Sequence, residues 1–226
     1  VGVSPYAYCE NNPMNAIDKN GEDSYYLTDG TYICDNLKET DHIYVVSNYN
    51  YLKQLPNGNR VVEFYGKQSL EEAKLSANAF SNIFTNVLKR NGFDVDKLEN
   101  KSIAVNVLDN NTKGDGPHYR CIDFYNTTSY PWKNAPIAAI SNNKITVNVV
   151  LSDQEHRNYL STISNVINVL GVHEYTGHGI LKLGSDQHWQ ILKMQRAHPS
   201  WNNTTKKLKD LYLQLEKEIP EEYVKH

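Results

Sequence analysis

The sequence predicts an α+β fold in which an antiparallel or mixed sheet packs against a long helix that carries the functional residues. Three observations lead to this prediction. Tyrosine- and valine-rich segments separated by turn formers fill the first part of the chain, as is typical of strands. Two segments with apolar residues at helical spacing follow later, each opening on a serine with a glutamate three positions on. The second of these segments ends in the string HEYTGH, residues 173–178.

The first strands are expected to form an antiparallel meander. The segments 25–34, 42–47 and 60–65 are rich in tyrosine and valine. The sequences TDG at 28–30 and PNG at 56–58 favour turns between strands. We therefore expect short strands joined by polar turns before the first helix.

The first helix is predicted from a capping box formed by Ser69 and Glu72. Its apolar residues then recur at helical spacing, at Ala73, Ala77, Phe80, Phe84 and Val87. The pattern stops at the Asn-Gly pair at 91–92, which is typical of a helix end. We expect this helix to pack on the core.

Two further strand-like segments, 102–108 and 144–151, flank a polar loop at 109–120. The loop begins like a calcium loop, but Arg120 stands at the twelfth position, where a glutamate is required, so we reject calcium there.

The second helix is predicted to begin at a capping box formed by Ser152 and Glu155. Its apolar stripe consists of Leu160, Ile163, Val166, Ile167 and Leu170. This stripe indicates one long buried helix that reaches HEYTGH.

Composition and charge are those of an ordinary soluble domain. The 226 residues are 39% hydrophobic and 22% charged, with a formal net charge of -3. That charge disfavours nucleic acid as a partner, because phosphate binding needs clustered positive charge. No apolar run approaches the roughly 18 residues that cross a bilayer. The three scattered cysteines, Cys9, Cys34 and Cys121, fit neither a disulfide framework nor a paired-cysteine zinc site.

His173 and His178 are candidate metal ligands. The common zinc-peptidase form is H-E-x-x-H, with the histidines four apart on one helix face. Here they are five apart, which on a regular α-helix separates them by roughly 140° around the axis and about 7.5 Å along it. A π-type turn, with its i to i+5 hydrogen bond, would realign them. Gly177 removes a side chain where the distorted backbone would be most crowded.

The string is similar to the H-E-x-x-G-H zinc signature of the dipeptidyl peptidase III family. His173, Glu174, Gly177 and His178 match that signature position by position over six residues. A strand followed by a helix with two histidines and a glutamate also resembles zincin-type metallopeptidases, in which the strand beside the helix can hold an extended substrate. The resemblance implies a zincin-like fold and a zinc ion at HEYTGH.

A catalytic zinc usually has three protein ligands and one open position. We predict His188 as the third ligand, because imidazole is a preferred zinc ligand. A connection of about ten residues, at up to roughly 3.3 Å each, can bring it back to the metal. The segment from GHG through HPSW to the TT pair also resembles a type of toxin domain attached to Rhs-family proteins, with a histidine at the corresponding place. The alternatives that remain open are Asp186, His198, Glu216 and Glu221, of which His198 is more typical of a helix end.

The predicted activity follows from these residue types. Zinc would lower the pKa of its bound water towards neutrality and polarise the substrate carbonyl. Glu174, next to a ligand, would act as the general base and pass the proton to the leaving amine. A tyrosine or histidine commonly stabilises the oxyanion in such sites; Tyr175 is close in sequence, but 16 tyrosines leave this choice open.

Residues 6–21, YAYCENNPMNAIDKNG, resemble the last segment of the core of Rhs and YD-repeat proteins. The matching residues are Tyr6, Tyr8, Asn11, Asn12, Pro13, Ile17, Asp18 and Gly21, while Lys19 stands where a proline is common. The resemblance implies that 1–21 is the tail of a repeat core and 22–226 a toxin domain delivered from a bacterial cell. It also implies a cognate immunity protein. Because the chain begins at Val1, we expect a piece of a longer protein with any export signal upstream.

The main hypothesis is a secreted, monomeric zinc metallopeptidase toxin that cleaves a protein of a target cell. The first alternative is a metal-dependent hydrolase of a non-peptide bond. The second is a non-catalytic plug or binding tip of the repeat protein, in which His173 and His178 would be structural and Glu174 dispensable. Metal content separates the enzyme hypotheses from the last one.

Overall fold

A computed structural model describes residues 23–36, 40–54, 60–108, 137–151, 153–184 and 187–218. Within them the chain combines three sheets with several helices, so the predicted α+β class is confirmed. The Rhs-like segment at 6–21 lies outside the described residues. None of the described helices is long and apolar enough to cross a membrane.

The first sheet has the strand order β2-β1-β3-β6. β1 (Asp23–Leu27) and β2 (Tyr32–Asn36) form an antiparallel hairpin around the TDG turn. β3 (Ile43–Val46) lies parallel to β1, and β6 (Gln68–Ser69) pairs antiparallel with β3. The predicted antiparallel meander is therefore wrong here. β3 lies on the side of β1 opposite to β2 and runs in the same direction as β1.

A separate two-stranded ribbon follows, formed by β4 (Asn48–Gln54) and β5 (Arg60–Tyr65). β5 coincides with the predicted segment. β4 was not predicted, because its sequence NYNYLKQ lacks β-branched residues. The ribbon is attached to the first sheet by Phe64, whose ring stacks on that of Tyr25 at 4.1 Å between centroids.

The first helix, α1 (Ala77–Arg90), begins later than predicted. Its N-cap is Ser76, whose side chain accepts the N–H of residue 79 at 3.2 Å. The Glu72 carboxylate does accept the Ser69 N–H at 3.3 Å, as in one half of a capping box. This contact stabilises a single turn after β6 and does not start a helix. The predicted end is confirmed, because Asn91 is the C-cap.

The third sheet has the order β7-β9-β8. β7 (Ala104–Leu108) and β9 (Lys144–Val150) are the two predicted strands and run parallel. β8 (Ala138–Ser141), which was not predicted, pairs antiparallel with β9. The polar loop at 109–120 lies outside the described residues.

The core lies where α1 packs against β7 and against the helix that carries the histidines. Six of its fully buried side chains are Phe80, Ile83, Phe84, Leu88, Ile145 and Leu170. Three of these, Phe80, Phe84 and Leu170, belong to the apolar stripes read from the sequence.

The predicted long helix from Ser152 is divided. A short α2 (Gln154–Asn158) is capped by Asp153, while Ser152 lies outside the described residues. A new helix then starts with α3 (Ile163–Val166), because the Thr162 side chain accepts the N–H of residue 165 at 3.1 Å. α3 continues without a break into a π-helix, Ile167–Ile180. We refer to residues 163–180 together as the site helix.

Asp41 joins the first sheet to the start of the site helix. Its backbone oxygen accepts the Ile163 N–H at 3.1 Å, and its buried carboxylate accepts the Ser164 N–H at 3.0 Å. Asp41 has a φ of 57°, in the left-handed region that aspartate and asparagine tolerate better than most residues. The position of β3 therefore determines where the site helix begins.

The chain ends its described part with α4 (His188–Ala197), a 3-10 turn (Pro199–Asn203) and α5 (Lys206–Glu218). α4 packs against the site helix and α5 against α4. α5 buries Leu208 and Tyr212, as its amphipathic pattern predicts.

Replacing Asp41 by alanine is expected to lower the free energy of unfolding by about 2 kcal/mol. About half comes from the lost cap and half from the left-handed backbone. Urea unfolding measures this loss. The control is Asp41→Asn, which keeps an oxygen acceptor and tolerates the positive φ, so it should cost less than half as much. Equal losses in the two variants would show that Asp41 does not act as a cap.

Candidate metal centre

The site helix has the winding that the histidine spacing requires. At its end the Leu181 N–H donates to the oxygen of Thr176 at 2.9 Å, a hydrogen bond between residues five apart. The ring centroids of His173 and His178 are 5.0 Å apart. The sequence called for a single π-type turn, and the structure extends that winding over the whole of Ile167–Ile180.

The structure brings the three predicted histidines together. One ligand nitrogen from each of His173, His178 and His188 lies within 4.8 Å of the others. The two Nε2 atoms of His178 and His188 are 2.9 Å apart. His188 is the first residue of α4, so the turn after the site helix returns this side chain to the other two. The three imidazoles are close enough to bind one metal ion.

One pair of ligand nitrogens has nearly the spacing expected at a tetrahedral metal site. Two nitrogens bound at about 2.0–2.1 Å and at the tetrahedral angle lie about 3.3 Å apart. The 2.9 Å between Nε2 of His178 and Nε2 of His188 is within half an ångström of that separation. The spacing of this pair is therefore compatible with one shared ion, and the three ligand nitrogens together lie within 4.8 Å of one another.

Hydrogen bonds at the far side of the rings set which nitrogen offers its lone pair. Nδ1 of His178 lies 2.7 Å from the backbone oxygen of Leu183, which can only accept, so Nδ1 carries the proton and Nε2 the lone pair. Nδ1 of His173 lies 3.1 Å from Oε1 of Gln195. Nε2 of His173 is buried and has no hydrogen-bond partner among the described residues. A buried nitrogen left in this way is what a metal ligand looks like before the ion binds.

The electrostatic environment keeps His173 neutral. Burial lowers its pKa from 6.5 to about 3, with further lowering from His178 and His188. Its hydrogen bond to Gln195 acts in the opposite direction. A neutral imidazole at physiological pH is the form that binds metals.

Glu174 is buried beside these ligands. Its side chain is 3% exposed, and its Oε2 has no hydrogen-bond partner among the described residues. Burial raises the pKa of the carboxyl from 4.5 to about 8, against a hydrogen bond from the backbone of Ile140 that lowers it. Its carboxylate is not part of the three-histidine set. A carboxyl so placed is suited to proton transfer rather than to ligation.

Gly177 has a tertiary role that the sequence analysis did not foresee. A Cβ at this position would lie 2.9 Å from Cγ1 and Cδ1 of Ile191 on α4, and 3.1 Å from Cγ2. Ile191 is fully buried, so it would have to shift within the packed interior to make room. Gly177 therefore lets α4, which carries His188, approach the site helix closely.

Three other candidates have different roles. Tyr175 points away from the histidines, because its hydroxyl donates to the oxygen of Asp94 at 3.0 Å. His198 caps the 3-10 turn by accepting the N–H of residue 200, as its helix-end sequence predicts. Glu216 forms an ion pair with Arg196. The remaining two candidate ligands, Asp186 and Glu221, lie outside the described residues.

Gln195 is the functional residue that sequence reasoning missed. It is seven residues after His188 and four after Ile191, so it shares their face of α4. The signal in the sequence was a glutamine at a position that faces the core, four residues after the apolar Ile191 of α4. Its hydrogen bond to His173 could not be read from the sequence, because the two residues are 22 positions apart.

Gly177→Ala is expected to push α4 away from the site helix and to weaken metal binding at His188. Overpacking of this kind costs about 1–3 kcal/mol. Zinc affinity by chelator competition and urea unfolding measure the two effects. In the double variant with Ile191→Val, loss of Cδ1 removes one of the three close contacts, so part of both losses should be recovered. A Gly177→Ala protein with unchanged zinc affinity would contradict this role.

The chain was also compared with known proteins. No protein-family model, no curated protein and no solved structure matches it. The interpretation of the site therefore depends on its own geometry.

Proposed function

We propose that this domain is a zinc metallopeptidase. The observation that carries the proposal is the set of three imidazoles from His173, His178 and His188 within 4.8 Å of one another. A buried carboxylate, Glu174, lies next to the first of them in the chain. A buried imidazole nitrogen without a hydrogen-bond partner, such as Nε2 of His173, is costly unless an ion or a water molecule satisfies it.

Zinc is the metal that this donor set favours. Imidazole nitrogens suit zinc, copper and nickel better than magnesium or calcium, which prefer oxygen ligands. Three protein ligands and one open position are typical of a catalytic zinc site, whereas structural sites usually have four protein ligands.

The residues of this chain divide the remaining work. A zinc ion bound there would supply Lewis acidity to a substrate carbonyl and lower the pKa of coordinated water. The positive charge of that ion would favour the ionised form of Glu174 and lower its pKa from the raised value that burial gives it, so that Glu174 could accept the proton of the attacking water and return it to the leaving amine. Burial of His173 and Glu174 excludes bulk water and strengthens these interactions.

The strand beside the site helix is suited to a peptide substrate. Among the described residues β9 is the only strand that pairs with β8, and the backbone of Ile140 in β8 donates a hydrogen bond to Glu174. Gly179 brings the site helix close to this strand, because a Cβ there would lie 2.9 Å from Cδ1 of Ile140. An extended peptide could add to the side of β8 away from β9 by main-chain hydrogen bonds. This arrangement supports the zincin-like interpretation of the fold.

The biological setting that we propose follows from the resemblance of residues 6–21 to the end of an Rhs core. In that setting residues 22–226 are a toxin domain that a bacterial cell delivers, and its substrate is a protein of the target cell. A cognate immunity protein would then cover the site in the producing cell.

The purified chain is expected to hold about one zinc per molecule. His173→Ala and His188→Ala should lose it, because each removes one of three ligands. His198→Ala is the matched control, since this histidine caps a 3-10 turn and should leave the zinc in place. Elemental analysis gives the metal content. A wild-type chain without metal, even after incubation with zinc, would rule out the metal centre.

Glu174→Gln is expected to retain zinc and to lose about 10²–10⁴-fold in peptide hydrolysis, because the amide cannot accept a proton. Cleavage of a mixed peptide library, followed by mass spectrometry, measures the rate. A variant that cleaves as fast as the wild type would remove Glu174 from the mechanism. A zinc-loaded wild type that cleaves none of the peptides would point to a non-peptide substrate.

A further inference from the structure

Gln195 is an unusual residue for its position. Its side chain is fully buried on α4, at 0% exposure. A buried amide is stable only when its donors and its acceptor are paired. In this protein the pairing extends from Gln195 to His173, and it fixes the orientation of both side chains.

The orientation of Asn168 comes first, because a backbone oxygen determines it. Nδ2 of Asn168 lies 3.1 Å from the backbone oxygen of Gln195 and 3.1 Å from Oγ of Ser200. A carbonyl oxygen can only accept, so the side-chain atom facing it must be the amide nitrogen. The side-chain oxygen of Asn168 is then the atom that faces Gln195.

The orientation of Gln195 follows in the same way. Its Nε2 lies 3.1 Å from the backbone oxygen of Asn168 and 3.0 Å from Oδ1 of Asn168. Both are acceptors, so this end of the Gln195 amide is the nitrogen. The hydroxyl oxygen of Tyr212 on α5 is a third acceptor, so one of the two N–H groups is shared between two acceptors. The oxygen Oε1 is therefore the end that faces Nδ1 of His173, at 3.1 Å.

An amide oxygen facing Nδ1 requires the proton of the neutral ring to be on Nδ1. We propose that Gln195 is a positioning residue that selects the Nδ1–H tautomer of His173 and aims its Nε2 lone pair into the three-histidine cluster. The consequence for metal binding rests on the proposed zinc site. The tautomer itself is a property of the metal-free chain.

This role explains why the residue is glutamine. The partner of one ring nitrogen decides which nitrogen of a histidine is metallated. His178 obtains its partner from the backbone oxygen of Leu183, whereas His173 depends on a side chain. A glutamate at 195 would also accept from His173, but its carboxylate would face the two acceptors of Asn168 without a proton to donate.

The test combines a spectroscopic measurement with a zinc affinity. In metal-free protein labelled with ¹⁵N-histidine, long-range ¹H–¹⁵N correlation spectra at neutral pH should show His173 as the Nδ1–H tautomer. In Gln195→Leu the acceptor is gone, and the ring should change to the Nε2–H tautomer that prevails in water. Zinc affinity by chelator competition should fall about 10- to 100-fold.

Tyr212→Phe is the matched control. It removes one partner of the Gln195 nitrogen but leaves the oxygen that faces His173. This variant should be less stable than the wild type, with the His173 tautomer and the zinc affinity unchanged. General damage to the packing of α4 and α5 would instead change all three.

An Nε2–H tautomer of His173 in the wild type would overturn the inference. So would a Gln195→Leu protein with the Nδ1–H tautomer or with an affinity within about threefold of the wild type. If Gln195→Leu does not fold, Gln195→Met, which is closer in shape to glutamine and also lacks the acceptor, replaces it; an Nδ1–H tautomer of His173 in that variant would overturn the inference. A wild type with the expected tautomer but no zinc binding would overturn the proposed function, and the positioning role with it.

Discussion

The hydrogen bonding between residues five apart in the site helix is the constraint on which the rest of the site depends. It places His173 and His178 on one face, with ring centroids 5.0 Å apart, where a regular α-helix would separate them. A π-helix is rare as a local preference, so tertiary packing must stabilise it. Nearly every side chain from 160 to 175 is buried, and this burial offsets the less favourable winding.

Glycines allow that packing to reach the helix backbone. A Cβ at Gly171 would lie 2.3 Å from the ring of Phe93, and one at Gly177 would lie 2.9 Å from Ile191. At Gly171 the segment after α1, which contains Phe93, packs directly on the site helix. At Gly177 α4 packs on it through Ile191. Because α4 begins with His188, the same contact that supports the π-helix also sets the distance of the third histidine.

The clustering of the three histidines could be predicted from the sequence because their chemistry and spacing are local. His173, His178 and the turn that returns His188 lie within 16 consecutive residues, and the five-residue spacing itself required a π-type turn. The division of the second helix was missed although its new N-cap, Thr162, is local. The second acceptor for its first turn is the carboxylate of Asp41, more than 120 positions earlier, and that contact could not be read from the sequence. The parallel pairing of β3 and the support of His173 by Gln195 are long-range in the same sense.

The hydrogen bonds that orient the histidines determine how much of the free energy of metal binding would be needed for folding. In small zinc domains the ion supplies most of the folding free energy, because no site exists without it. Here the orienting hydrogen bonds end on backbone oxygens, those of Leu183, Asn168 and Gln195, which belong to the helices and the turn between them. The core formed by α1, the third sheet and the site helix also contains no ligand. The ion would then stabilise a fold that already exists, by the amount that its concentration and affinity set through mass action. In such a site little of the metal-binding free energy would be needed to fold the protein, and the rest would be free to hold the ion in the geometry that the proposed reaction requires.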